Sequence, residues 1–372
     1  MTGKERIMRI FQGKETDRPA LKLWGARIGQ KLIHPAYKPV YELATEMTDI
    51  MDGASSKFNI YFGAGEDVKI SYENKPLPDS HWADRVTYIR LPDRRLRSVY
   101  RYSTIGHPGY DMEYFVKEPE DLKALLRIKY LPYPVDISSY INTVEKTGDK
   151  GIVLFSLDHA AYAVYRLMGS ECFALMCMDE RELIAEAVET YAARIREHVK
   201  TVLDTGIKPV FGWVGPELCI PPLVREKEFE DFVFNTDKPL CDLIHDAGGY
   251  VWVHCHGRVG KLLTRFMAMG VDVLNPIEPP PLGDITLKEA IEITGNGMGL
   301  EGNIEISSLL LGSEEEVRSL IRNTVIESRN SDRFILCLSA GYMEYIDPTP
   351  QYINNLILYI TYGLECVMTL RN

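Results

Sequence analysis

The sequence predicts an α/β fold, a (β/α)₈ barrel of the TIM type with an N-terminal elaboration, and three observations carry that expectation. Short apolar runs alternate with helical segments from residue 151 onward, which is the βαβ rhythm. Polar side chains gather just after those runs, where a parallel barrel builds its active site. No G-x-G-x-x-G follows the first apolar run, as a doubly wound nucleotide-binding sheet would require. A length of 372 residues is within the range of one elaborated barrel. Residues 1–372 are therefore read as one domain, with N-terminal helices and a β-hairpin in 1–150 and regular β/α units in 151–372.

Taken in order, the run at 20–24 reads as the first strand, and 86–91 with 97–102, around Pro92 and Asp93, reads as the hairpin. Strands follow at 152–157, 208–213, 250–253, 271–274, 298–301 and 334–338. Helical periodicity covers 181–203, 226–246, 260–269 and 313–328, and Ser313 followed three residues later by Glu316 marks a capping box. These runs make seven strands, and the eighth is expected at 58–62 or 68–72. No fixed-period repeat or low-complexity tract interrupts the pattern.

Composition narrows the partners. Hydrophobic residues at 45% and charged residues at 26% are those of a chain with a substantial core, which argues against disorder. Against 42 Lys and Arg stand 53 Asp and Glu, for a net charge of −11, and no basic block is present to follow a phosphate backbone, so nucleic acid is not an expected partner. The seven cysteines are scattered without a C-x-x-C pair, as for reduced thiols. The opening residues are charged throughout and no apolar stretch is long enough to span a bilayer. A cytoplasmic protein without a membrane partner is expected.

The strand ends supply Asp158 with His159, Trp213 with Glu217, His254-Cys255-His256-Gly257, Asn275 with Glu278, Glu301 with Asn303, and Ser339. Residues two apart on a strand face the same way, so His254 and His256 can present two imidazoles to one metal ion while Cys255 points away. The alternative is a pair of hydrogen-bonded barrel histidines without a metal. Cys337 near the end of the last strand is a candidate third ligand, or an ordinary buried thiol. Glu217 and Glu278, in Gly-Pro-Glu and Pro-Ile-Glu-Pro settings, are candidate ligands or general acids and bases, as is Asp158. Their structural alternatives are a cap for Glu278 and an ion pair with Arg27 or Arg258 for Glu217. Asp158 and His159 could form a dyad, although adjacent strand residues face opposite ways. Arg27, Trp213, Asn275, Glu301, Asn303 and Ser339 are candidate substrate contacts.

Four segments resemble the uroporphyrinogen decarboxylase superfamily: RIFQGKETDRPALKLWG at 9–25, VKEPEDLKAL at 116–125, the run from Gly248 to Glu289, and LEGNIEISSLLLGSEEEVRSLI at 300–321. The resemblance implies a barrel enzyme with one of two chemistries, porphyrin decarboxylation without a cofactor or methyl transfer involving a separate corrinoid protein. Decarboxylases of this kind carry an Arg-Gln-Ala-Gly-Arg-type motif after the first strand, where this chain has Trp24-Gly25-Ala26-Arg27-Ile28-Gly29-Gln30 and keeps only Arg27. Methyltransferases typically carry His-x-Cys-Gly and a later cysteine that bind zinc. Here His256 stands where the first of those cysteines would be, and Ser339-Ala340-Gly341 occupies the second place. Imidazole and carboxylate ligands leave zinc a stronger Lewis acid than thiolates do, which suits an O- or N-methyl compound better than a thiol.

The expectation is thus a zinc-assisted methyltransferase that moves a methyl group from a small methylated compound to a corrinoid carried by a partner protein. No Asp-x-His-x-x-Gly is present to carry the corrinoid in this chain; Asp242 to Gly248 is the nearest approach, and it is one residue out of step. A homodimer is compatible with the sequence. The alternatives are a metal-free decarboxylase in which Asp158 or Glu217 stabilises a protonated intermediate, and a ligand-binding scaffold without chemistry.

Overall fold

The computed structural model describes residues 1–32, 34–65, 68–91, 93–341 and 348–370. Its strands fall in two sheets. In chain order they are β1 (Ala20–Leu21), β2 (Ile50–Ala54), β3 (Lys69–Pro76), β4 (Trp82–Arg90), β5 (Arg95–Ser103), β6 (Tyr110–Glu113), β7 (Gly151–Ser156), β8 (Val210–Val214), β9 (Tyr250–His254), β10 (Val273–Ile277), β11 (Gly299–Ile304) and β12 (Phe334–Leu338). The larger sheet has eight strands in the order β1-β12-β11-β10-β9-β8-β7-β2, with parallel pairing throughout. Sequence order therefore runs around the sheet, as in a (β/α)₈ barrel.

The two terminal strands of that order meet at a seam. Asp49 N donates to Leu21 O at 2.7 Å, and Leu21 N donates to Asp49 Oδ2 at 3.0 Å. The same carboxylate takes Arg6 Nη1 at 2.5 Å and Arg18 Nη1 at 3.0 Å. The Asp17-Arg18-Pro19 turn is thus the fastening of the barrel, with Arg6 bridging Asp17 and Asp49. Below the seam, the helix Gly3–Phe11 presses Ile7, Ile10 and Phe11 against Ala20, Ile152, Val210, Val273 and Ile335, closing the barrel floor. Arg333 ties that helix down by donating to Ile10 O and Phe11 O.

The eighth strand is not where the sequence suggested. It is β2, whose sequence IMDGA contains an aspartate and a glycine and so lacks a continuous apolar run. Residues 58–62 form a turn, and 69–76 belong to the second sheet. The expected hairpin exists, with Val86 opposite Val99 and Ile89 opposite Leu96, but it is the centre of a four-stranded antiparallel sheet, β3-β4-β5-β6. Pro92, expected at its turn, is outside the described residues.

The helix expected at 226–246 is broken into Glu226–Phe229, a π turn over Glu230–Phe234, and Asn235–Asp246. Pro239 lies inside the last of these and cannot donate to the carbonyl four residues earlier. The helix 313–328 is found with its capping box, Ser313 and Glu316 exchanging bonds as its sequence implies. The helix Ala160–Asp179 bends at Gly169, where φ is 74° and a Cβ would come within 2.3 Å of the Tyr114 ring. Among the described residues no helix is long and apolar enough to cross a membrane.

Candidate active site

Strand alternation stacks the interior of β9 in layers. Trp252 and His254 are two residues apart on the strand and His256 follows in the loop, so all three project toward the barrel axis. Trp252 lies deepest, its ring 5.9 Å from that of His254, and the His254 and His256 rings are 4.5 Å apart and nearly perpendicular. Trp24, beyond the end of β1, lies 5.2 Å from His254 and 6.1 Å from Trp252, so the three rings cluster.

Each imidazole is held through Nδ1. On β10, Asn275 pairs in register with His254, and its Oδ1 is 2.5 Å from His254 Nδ1. Glu278 accepts from His256 Nδ1 at 3.0 Å and from Gly257 N at 2.8 Å. An amide oxygen and a carboxylate can only accept, so both Nδ1 atoms carry the proton and both Nε2 atoms are left for other partners. Burial and the neighbouring His256 charge push His254 down to about 4. Burial works against the charged form of His256 too, but its bond to Glu278 and the carboxylates of Glu217 and Glu305 raise it above the ordinary value. Glu278 is held below the usual carboxylate range: burial opposes this, and the bonds from His256 and Gly257 outweigh burial.

Glu217 stands on the short helix Pro216–Cys219 after β8. The chain enters it through Gly215, where φ is 121° and a Cβ would reach 2.6 Å from Tyr162. Burial raises the Glu217 pKa, against opposing backbone hydrogen bonds and the charges of His256 and His159. Its Oε2 is buried without a hydrogen-bond partner among the described residues. Asp158, at the end of β7, is likewise raised by burial, with Arg166 acting in the opposite direction. His159 does not join Asp158 in a dyad: it caps the helix Ala160–Asp179 and lies 3.2 Å from Asp237 Oδ2.

Other expected contacts go elsewhere. Trp213 packs in the layer between barrel and helices, because Gly212 holds the inward position on β8 and its neighbour must face out. Asn303 Oδ1 accepts from Thr324 Oγ1 of the covering helix; Gly302, with φ at 144°, breaks the alternation that would have aimed it inward. Ser339 donates to Glu305 Oε2 at 3.0 Å. Arg27 remains largely exposed, 3.3 Å from Asp52 Oδ1.

Glu301 is wholly buried beneath the histidines. Its Oε1 is 2.5 Å from Lys22 Nζ, and its Oε2 accepts from Trp252 Nε1 at 2.8 Å. Lys22 also sits 4.7 Å from the Trp24 ring centre and 5.6 Å from that of Trp252. Cys337 belongs to this deeper cluster and is not brought to the histidines; burial pushes its thiol well above the ordinary value, with Lys22 and Glu301 as its charged neighbours. Sequence reasoning missed Lys22, Trp24, Trp252 and Glu305. The signal was present for two of them, since Lys22 follows Ala20 and Trp252 precedes His254 at the inward spacing of two.

Among the described residues no three His, Cys, Asp or Glu side chains converge to hold a metal ion. Two donors are nevertheless prepared for one. Both Nδ1 atoms are occupied by acceptors, as in metal-binding histidines, and three carboxylates favour positive charge at His256. A zinc ion would find nitrogen donors in His254 and His256 and, in Glu217 Oε2, a carboxylate oxygen without a hydrogen-bond partner among the described residues; Cys337 does not fit.

A family model described as uroporphyrinogen decarboxylase (URO-D) matches residues 142–350. Among solved structures, a methyltransferase from Methanosarcina mazei superposes with a TM-score of 0.62 at 14% identity, covering 97% of this chain and 98% of its own, which shows a shared fold. A Bacteroidetes-affiliated GH5 cellulase linked with a polysaccharide utilization locus reaches a TM-score of only 0.33 at 12% identity, over 68% of this chain and 79% of its own. No curated protein matches the chain.

Proposed function

The chain belongs to the uroporphyrinogen decarboxylase (URO-D) family, and from that premise we propose that it is a cytoplasmic methyltransferase. In this reading, the methyl group of a small O- or N-methyl compound held in the barrel mouth passes to a corrinoid that a partner protein carries. The observation that supports it is the imidazole pair, with both Nδ1 atoms held and both Nε2 atoms directed away from those anchors. A decarboxylase acting on a many-carboxylate porphyrin would want several cationic forks at the first strand. This chain offers Arg27, already beside Asp52.

Zinc on His254 and His256 would act as a Lewis acid on the oxygen or nitrogen that gives up the methyl group. The residues do the rest. Asn275 and Glu278 fix the two rings, so the donors need no reorganisation. Glu217, whose pKa is raised by burial, can hold a proton for the leaving atom. Trp24 and Trp252 screen the deep side of His254 from water.

The test is metal content together with methyl transfer. Purified protein should carry about one zinc per subunit, lost in the folded His254→Ala/His256→Ala variant. Supplied with a reduced corrinoid and a panel of small methylated compounds, it should demethylate one of them. Full activity in zinc-free protein would overturn the metal assignment, and robust coproporphyrinogen formation from uroporphyrinogen would favour the decarboxylase.

A further inference from the structure

Beyond the ends of β2 and β7 the mouth contains a cavity of about 280 Å³, between residues 58–61 and the start of the helix Ala160–Asp179. Three aromatic rings line it, those of Phe58, Tyr61 and Tyr162, with Asp158 and Arg166 among them. The rings are fixed from behind. Phe58 stacks on His198 at 4.4 Å, Tyr61 meets Tyr191 edge-on at 5.5 Å and donates its hydroxyl to Ala163 O, and Tyr162 stacks on Tyr165 at 6.1 Å. Asp158 and Arg166 carry opposite charges but form no ion pair among the described residues, although each lies in the other's field. Tyr162 packs against Gly215, two residues before Glu217, so the cavity adjoins the Glu217 loop.

Asp158 and Arg166 both line this small aromatic cavity without an ion pair among the described residues, so it suits a ligand that carries both charges. A methylated ammonium cannot donate several hydrogen bonds; it is bound by ring faces and a nearby anion. A carboxylate matches the guanidinium fork. We propose that this cavity binds a small zwitterion bearing a methylated ammonium, the ammonium between Phe58 and Tyr61 beside Asp158, and the carboxylate toward Arg166, whose guanidinium lies 5.9 Å from the Tyr162 ring centre. This rests on the methyltransferase reading and narrows its substrate class to N-methyl ammonium compounds, whose nitrogen has no lone pair for a Lewis acid and leaves as a neutral amine when its methyl group passes to the corrinoid.

The experiment is calorimetric titration of the purified chain with trimethylglycine, and separately with its two halves, tetramethylammonium and acetate. Trimethylglycine should bind more tightly than either half. Because it removes a charge-assisted contact to the carboxylate, Arg166→Gln should weaken trimethylglycine about tenfold or more while sparing tetramethylammonium. Asp158→Asn should weaken both. Unchanged thermal midpoints would verify that the variants are folded. Absence of trimethylglycine binding, or equal binding by both variants, overturns the proposal. If another class of compound donates its methyl group and trimethylglycine does not bind, the zwitterion site falls and the methyltransferase reading stands. If trimethylglycine binds with these dependences and no methyl group is transferred, the site stands and that reading falls.

Discussion

The ion pair at the centre of the barrel gives the most direct test of how the site is supported. Lys22 Nζ and Glu301 Oε1 are 2.5 Å apart, with side-chain exposures of 7% and 0%. Removing one partner of such a pair strands the other's charge in a dry interior, which costs about 3–5 kcal/mol. Lys22→Met should therefore destabilise the fold by that amount. Glu301→Gln should do nearly as much, even though glutamine keeps an acceptor for Trp252 Nε1, which now donates to Glu301 Oε2 at 2.8 Å. The double variant leaves no charge stranded, so its loss should fall short of the sum of the single losses by about 2 kcal/mol. Urea denaturation followed by tryptophan fluorescence measures all three, read as shifts in midpoint at constant slope. Losses that add to within about 0.5 kcal/mol would refute the reasoning, because independent residues behave in that way.

Two further outcomes follow from the titrating groups. Glu217→Gln keeps shape and removes a proton-holding carboxyl, so turnover of an identified substrate should drop by about 100-fold or more with little change in melting, whereas a structural role would give the reverse. His198 stacks on Phe58 and bonds Ser56, and burial pushes it down from 6.5 to about 4. Its folded form is thus neutral. The stability this contributes is present above about pH 6.5 and is lost as pH falls toward about 4, amounting to about 3 kcal/mol when fully lost. Stability measured from pH 7 to 4 should fall less steeply in His198→Gln, and an unchanged slope would assign the acid sensitivity to other groups.

What the sequence made legible follows from how strongly each feature is written in a local pattern. His254, His256, Asn275 and Glu278 were found because they end apolar runs, and a parallel barrel gathers strand ends. The strand β2 was missed because its barrel role comes from backbone pairing with β7, not from an apolar run. Trp213 was misplaced by a single residue of parity: Gly212 takes the inward position, and nothing in the sequence says so. Asn303 follows a glycine whose backbone breaks the alternation. Lys22 was passed over because a lysine within an apolar run reads as a surface residue, and only tertiary contact with Glu301 reverses that reading. The common feature is that local pattern locates strand ends, whereas side-chain direction and burial depend on neighbours distant in sequence.

Depth in the barrel then orders the chemistry. The floor is apolar, closed by Ile7, Ile10 and Phe11. Above it lies the paired charge of Lys22 and Glu301, tolerated only because each neutralises the other. Next comes His254, too dry to hold a proton and so kept as a neutral donor, followed by His256, where Glu278, Glu217 and Glu305 make positive charge favourable. A cation at the two Nε2 atoms would thus meet one neutral ligand from below and a field of carboxylates from the mouth. Burial raises Glu217 in the same region, which favours proton retention by a carboxyl where a substrate enters. One layer deeper, the imidazole pair would meet only a carboxylate already neutralised by Lys22, and one layer higher it would be exposed to water. The spacing of Trp252, His254 and His256 puts the pair at the depth where both conditions hold.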